Sequence, residues 1–75
     1  MDWKDVLVGD CYTVMVRGKL YPARMEFRHP ITNKFIYRNL VTKRRGICTA
    51  QRIKGRISEE EAQRMVDSLT RKKRR

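Results

Sequence analysis

Between Cys11 and Ile57, apolar and polar residues alternate in short runs, the pattern of strands with one face toward a core and one toward water. In residues 11–17, Tyr12, Val14 and Val16 fall on one side, which predicts a first strand. Arg17-Gly18-Lys19 reads as a tight turn, with Gly18 free to take a positive φ. Residues 20–28 alternate most cleanly. Tyr21, Ala23, Met25 and Phe27 share the expected inward face, and Pro22, Arg24, Glu26 and Arg28 the outward one. Pro22 has no N–H for a ladder, so this strand is expected at an edge or bulged there. Residues 29–34 form a loop. A third strand follows over 35–41, with Phe35, Tyr37 and Val41 competing with Ile36 and Leu40 for the interior. Residues 42–46 make a basic hairpin tip. Residues 47–53 make a fourth strand, with a short helical turn expected at 49–51. Gly55 marks a bend or bulge before Ile57, the last β-like anchor.

Residues 58–71 carry the pattern of a helix. Ser58 and Glu61 have the spacing of a capping box. Glu59, Glu60 and Glu61 bring negative charge to the positive end of the helix dipole. Ala62, Met65, Val66 and Leu69 line one stripe, expected either to face the core or to support a homodimer. No repeat or linker interrupts the chain, so residues 1–71 read as one domain, with 72–75 as a basic flexible tail.

These elements predict a mostly β fold with one C-terminal α-helix, either a small SH3-like barrel or a strongly bent antiparallel sheet of four or five strands. The order of hairpin, meander and helix over residues 11–71 resembles the SH3-like barrels, among them the small archaeal chromatin proteins and the chromo- and Tudor-like domains. Residues 9–14 (Gly-Asp-Cys-Tyr-Thr-Val), 19–24 (Lys-Leu-Tyr-Pro-Ala-Arg) and 39–42 (Asn-Leu-Val-Thr) also resemble small bacterial and phage β-domains of no assigned function. In those a glycine is expected at the turn where this chain has Lys43. The resemblance implies a barrel and carries no activity with it.

Charge changes the picture most. The 75 residues hold 19 Lys and Arg against 8 Asp and Glu, a net charge of +11. Residues 11–57 contain twelve of those cations and a single carboxylate, Glu26. Solubility alone calls for mixed signs, and a one-signed field on a small domain usually serves to attract a polyanion. Cys11 and Cys48 stand apart, as expected of two reduced, buried thiols. With one histidine and two distant cysteines, no metal site or other cofactor is expected. His29 has no acid, base or nucleophile in a recognisable pattern with it, so no enzyme is expected. Cys48, near Arg44 and Arg45 in sequence, is the one thiol whose pKa those cations would lower. No long apolar run opens the chain and the helix begins acidic, so neither a spanning nor a surface-bound membrane role is expected.

The candidate nucleic-acid-binding residues are therefore Arg17, Lys19, Arg24, Arg28, Arg38, Lys43, Arg44, Arg45, Arg52, Lys54 and Arg56, expected to share a basic outer face. Arginine predominates among them, and its planar fork suits phosphate. Tyr37 and Trp3 are the aromatic residues expected to be exposed for stacking on bases. The basic run at the C-terminus is either a phosphate-grasping arm or a solubilising end. The expected function is non-catalytic, phosphate-directed and largely sequence-nonspecific binding of DNA or RNA by a cytoplasmic, nucleoid-associated monomer or homodimer. The alternative is a small phage-type inhibitor or accessory protein that docks on the acidic surface of a nucleic-acid-processing partner.

Overall fold

The computed structural model describes residues 2–71. A 3-10 turn at Trp3–Asp5 precedes β1 (Cys11–Val16), β2 (Lys19–Arg28), β3 (Phe35–Asn39) and β4 (Arg45–Cys48). A second 3-10 turn at Ala50–Arg52 leads into β5 (Ile53–Ile57), and α1 (Glu59–Arg71) closes the order. The expected tail, residues 72–75, lies outside the described residues.

All strands are antiparallel, in the order β4-β3-β2-β1-β5. This corrects the expected SH3-like barrel and the expected strong bend. β4 and β5 lie at opposite edges and do not pair, and the sheet is neither closed nor strongly curled. Alternation and short strands report which residues face a core, but closure is decided by pairing between the first and last edges. The expected fourth strand over 47–53 is in fact two strands. The chain leaves β4 at Cys48, turns through Ala50–Arg52, and crosses to the far edge beside β1.

One face of the sheet carries the core. Tyr12, Val14, Ala23, Met25, Phe35, Tyr37, Cys48 and Ile53 cluster there with Val6 from the N-terminal segment, and Ala50 packs against them. The Tyr12 hydroxyl accepts the Leu7 N–H at 2.8 Å and donates to the Asp5 carbonyl at 3.4 Å, which ties that segment down. α1 packs against β1 and β2. Its capping box forms as expected: the Glu61 N–H donates to Ser58 Oγ at 3.1 Å, and the Ser58 N–H to Glu61 Oε1 at 3.2 Å. Of the apolar stripe only Ala62 is fully buried, while Met65, Val66 and Leu69 stay half-buried. Those three are therefore rim positions, because the helix covers only part of the sheet.

The inward face expected for β2 holds as far as Met25 and then reverses. Met25 pairs with Tyr37 but Phe27 pairs with Ile36, so Glu26 is one residue too many for its partner strand. Beyond this bulge Phe27 points away from the core, 48 % exposed, and Arg28 lies on the core side opposite Phe35. Pro22 is buried in the middle of the sheet, so neither an edge strand nor a bulge at Pro22 is found. A second bulge at Lys54 displaces β5 against β1, next to the glycine that suggested it.

Gly46 is opposite Tyr37, and a Cβ there would lie 2.7 Å from the phenol carbon and oxygen. Because Tyr37 is held in the core, the ring has little room to withdraw. Gly46→Ala is expected to cost about 1–3 kcal/mol, read as a lower urea midpoint at unchanged m-value.

Candidate nucleic-acid interface

The β1–β2 and β3–β4 turns lie at the same end of the sheet, because β2 and β3 run antiparallel and pair from Ala23 and Asn39 outward. Arg17 and Gly18, at φ 51° and 82°, make the two-residue turn between Val16 and Lys19. Asn39 builds the other turn. Its Oδ1 accepts the N–H groups of Val41 and Thr42 at 2.9 and 3.2 Å, and its carbonyl accepts the Lys43 N–H at 2.7 Å. Lys43 then takes φ 65°, the left-handed conformation that explains the expectation of glycine there.

Between these turns lies an open groove of about 540 Å³. Val16, Tyr21 and Tyr37 form its apolar and aromatic part, Asn39 and Thr42 add neutral polar groups, and Arg17, Lys19, Arg44 and Arg45 supply its charge. No carboxylate lines it. Arg52 acts electrostatically on Tyr37 but is not among the residues that line the groove.

The eleven candidate cations do not share one face. Four are held by carboxylates: Arg24 by Glu59 at 3.5 Å, Arg56 by Asp10 at 3.0 Å, and Arg38 and Arg45 by the two oxygens of Glu26 at 2.9 and 3.0 Å. Arg28 donates to Asn33 Oδ1 at 2.9 Å and stacks over Trp3, 4.9 Å from the ring centroid. Arg17, Lys19, Lys43, Arg44, Arg52 and Lys54 have no ion pair among the described residues. Lys54 lies on β5, at the opposite edge from β4. Lys43 borders a smaller cleft beside α1. The groove thus gathers three of these cations, Arg17, Lys19 and Arg44.

The aromatic expectations need correction. Tyr37 is only 8 % exposed, and burial pushes its phenol pKa up. It forms the floor of the groove and is not a free stacking platform. Trp3 is 37 % exposed, with one ring face taken by Arg28. Tyr21, read from alternation as core, is half-buried and lines the groove instead.

Both thiols are free and buried. Burial pushes Cys48 up to about 11, against a smaller lowering by Arg52, and this reverses the direction expected from Arg44 and Arg45. Burial also raises Cys11, with Arg24 offsetting only part of it. Cys48 belongs to the core face and Cys11, neighbour to Tyr12, points to the other, so the sheet separates them. His29 is exposed in its loop. Among the described residues no group of three or more His, Cys, Asp or Glu could hold a metal, and no helix is long and apolar enough to cross a membrane.

No protein-family model, curated protein or solved structure matches the chain.

Two predictions follow from the cation geometry. Arginine in the left-handed turn position is strained where asparagine is tolerated, so Arg17→Asn should raise stability by roughly 1 kcal/mol or less, read in a thermal melt. The hydrogen bond from Arg38 is the main reason that the Glu26 carboxyl sits below the usual range, and Arg45 adds to it. Its contribution is then complete above the ordinary carboxylate pKa and disappears as pH falls through the depressed folded value. Glu26→Gln should therefore lose less stability than the parent chain on acidification from roughly pH 5 to pH 2, compared by urea midpoints.

Proposed function

We propose that the protein is a non-catalytic nucleic-acid-binding domain that seats a phosphodiester backbone in the groove between its two hairpin turns. The observation that carries this reading is a groove lined by Arg17, Lys19, Arg44 and Arg45 with no carboxylate among its walls. Elsewhere on the sheet Arg24, Arg38 and Arg56 already have carboxylates and Arg28 is held by Asn33 and Trp3, so a phosphate would have to compete for them. Here Arg17, Lys19 and Arg44 are unpaired, and Arg45 shares Glu26 with Arg38.

The turn conformations support the same reading. Arg17 and Lys43 both occupy left-handed backbone positions that glycine or asparagine would fill at lower cost. Strain of this kind concentrates at functional sites. Here it holds two cations at the end of the sheet where the groove opens. Binding would be phosphate-directed and indifferent to base sequence, since phosphate contacts position a nucleic acid without reading it. Tyr21 supplies a half-buried ring for a ribose or base lying along the groove.

An electrophoretic shift with duplex DNA, single-stranded DNA and RNA, repeated across salt, tests the proposal. With four or five phosphates engaged, the log–log slope against salt on duplex DNA should be about −4. The double variant Lys19→Ala with Arg44→Ala should remain folded and flatten that slope by about 2. Affinity insensitive to salt, or equal competition by poly-glutamate, would overturn the assignment.

A further inference from the structure

The bulge at Glu26 leaves an apolar row on the face opposite the core. Phe27 pairs with Ile36, and Ile36 with Ile47, so the three side chains cross β2, β3 and β4 side by side. Phe27 is 48 % exposed and Ile47 67 %. α1 packs on β1 and β2 and shows no comparable packing on β3 or β4. The row ends at β4, which is an edge of the sheet.

That edge is also open in its hydrogen bonding. The Asn39 N–H donates to the Arg44 carbonyl at 2.8 Å, which fixes the alternation of the β3–β4 ladder. By that alternation Gly46 and Cys48 direct their backbone groups to β3, and Arg45 and Ile47 direct theirs outward. The two edges of the sheet differ in their protection. β5 is bulged at Lys54 and carries Lys54 and Arg56, whereas β4 has neither a bulge nor a proline and its one charged residue, Arg45, is neutralised by Glu26.

We infer that β4 is a self-association edge: two copies of the chain pair antiparallel through β4 about Ile47, joining their sheets into one. In this register Ile47 faces Ile47 of the second copy, and Arg45 faces Thr49. The row Phe27–Ile36–Ile47 then continues into its own copy as one apolar band, and both helices lie on the same side of the joined sheet. A register centred on Gly46, two residues out of step, would instead set Ile47 against Arg45 and break the band.

Charge selects a second copy over an acidic partner at this place. Arg38 and Arg45, the cations next to the row in the sheet, already share Glu26 at 2.9 and 3.0 Å. An acidic segment would find them occupied, while an apolar strand meets a locally compensated surface. The only carboxylate of residues 11–57 is thus spent beside the apolar row, and the unpaired cations of the groove are left without one.

Sedimentation equilibrium of the full chain over increasing protein concentration tests this, together with two cysteine variants under mild oxidation. The parent should shift from monomer to dimer mass. Ile47→Asp should remain monomeric with an unchanged circular dichroism spectrum, because the side chain it replaces is largely exposed. Ile47→Cys should cross-link to a dimer, as directly opposed positions are spaced for a disulfide. Arg45→Cys should not cross-link, and the parent's buried Cys11 and Cys48 should give no background. A parent that stays monomeric throughout, a dimer that survives Ile47→Asp, or preferential cross-linking at position 45 would each overturn the inference. None of these readouts involves nucleic acid, so the groove assignment stands or falls separately.

Discussion

A single surplus residue in β2 organises the outer surface of this protein. Because Glu26 has no counterpart in β3, the inside-outside alternation of the strand reverses after Met25. The reversal turns Phe27 to the outer face and Arg28 to the core side, where its guanidinium covers Trp3. It also places a carboxylate where the side chains of Arg38 and Arg45 converge. An unbulged β2 would instead keep Phe27 on the core face.

The basic surface therefore has two parts with different chemistry. Around the bulge and near the helix start, positive side chains are matched by Glu26, Glu59 and Asp10. These exposed pairs contribute little to stability, but they lower the local potential. At the two hairpin turns no such match exists among the described residues, and Arg17 and Lys43 stand there in left-handed backbone positions. A field concentrated over one groove attracts an extended anion more effectively than the same charge spread evenly over the surface.

Burial explains why the remaining reactive groups are quiet. Cys48 sits in the core and Cys11 on the opposite face, and both thiols are pushed toward the neutral form. Tyr37 is likewise confined, with Gly46 leaving only enough space for its ring. The core face thus keeps both Cys48 and Tyr37 largely from solvent, while the outer face presents an apolar row that runs to an open strand edge.

Local rules made much of this legible without coordinates. The capping box of Ser58 and Glu61, the glycine turn after Arg17 and the alternation up to Met25 each depend on neighbours a few residues apart, and each forms as its spacing implies. Even the expected glycine at position 43 was a sound reading of the backbone, since Lys43 adopts the conformation glycine favours. Closure of the sheet, the reversal after Glu26 and the partition of the cations were decided by tertiary structure. Each depends on residues distant in sequence: β4 and β5 diverging to opposite edges, β3 one residue short against β2, and Asp10 and Glu59 returning over a sheet whose own sequence holds a single acid. Composition counts charges along the chain, but a site depends on which of them meet a partner in space, and only the folded arrangement brings those partners together.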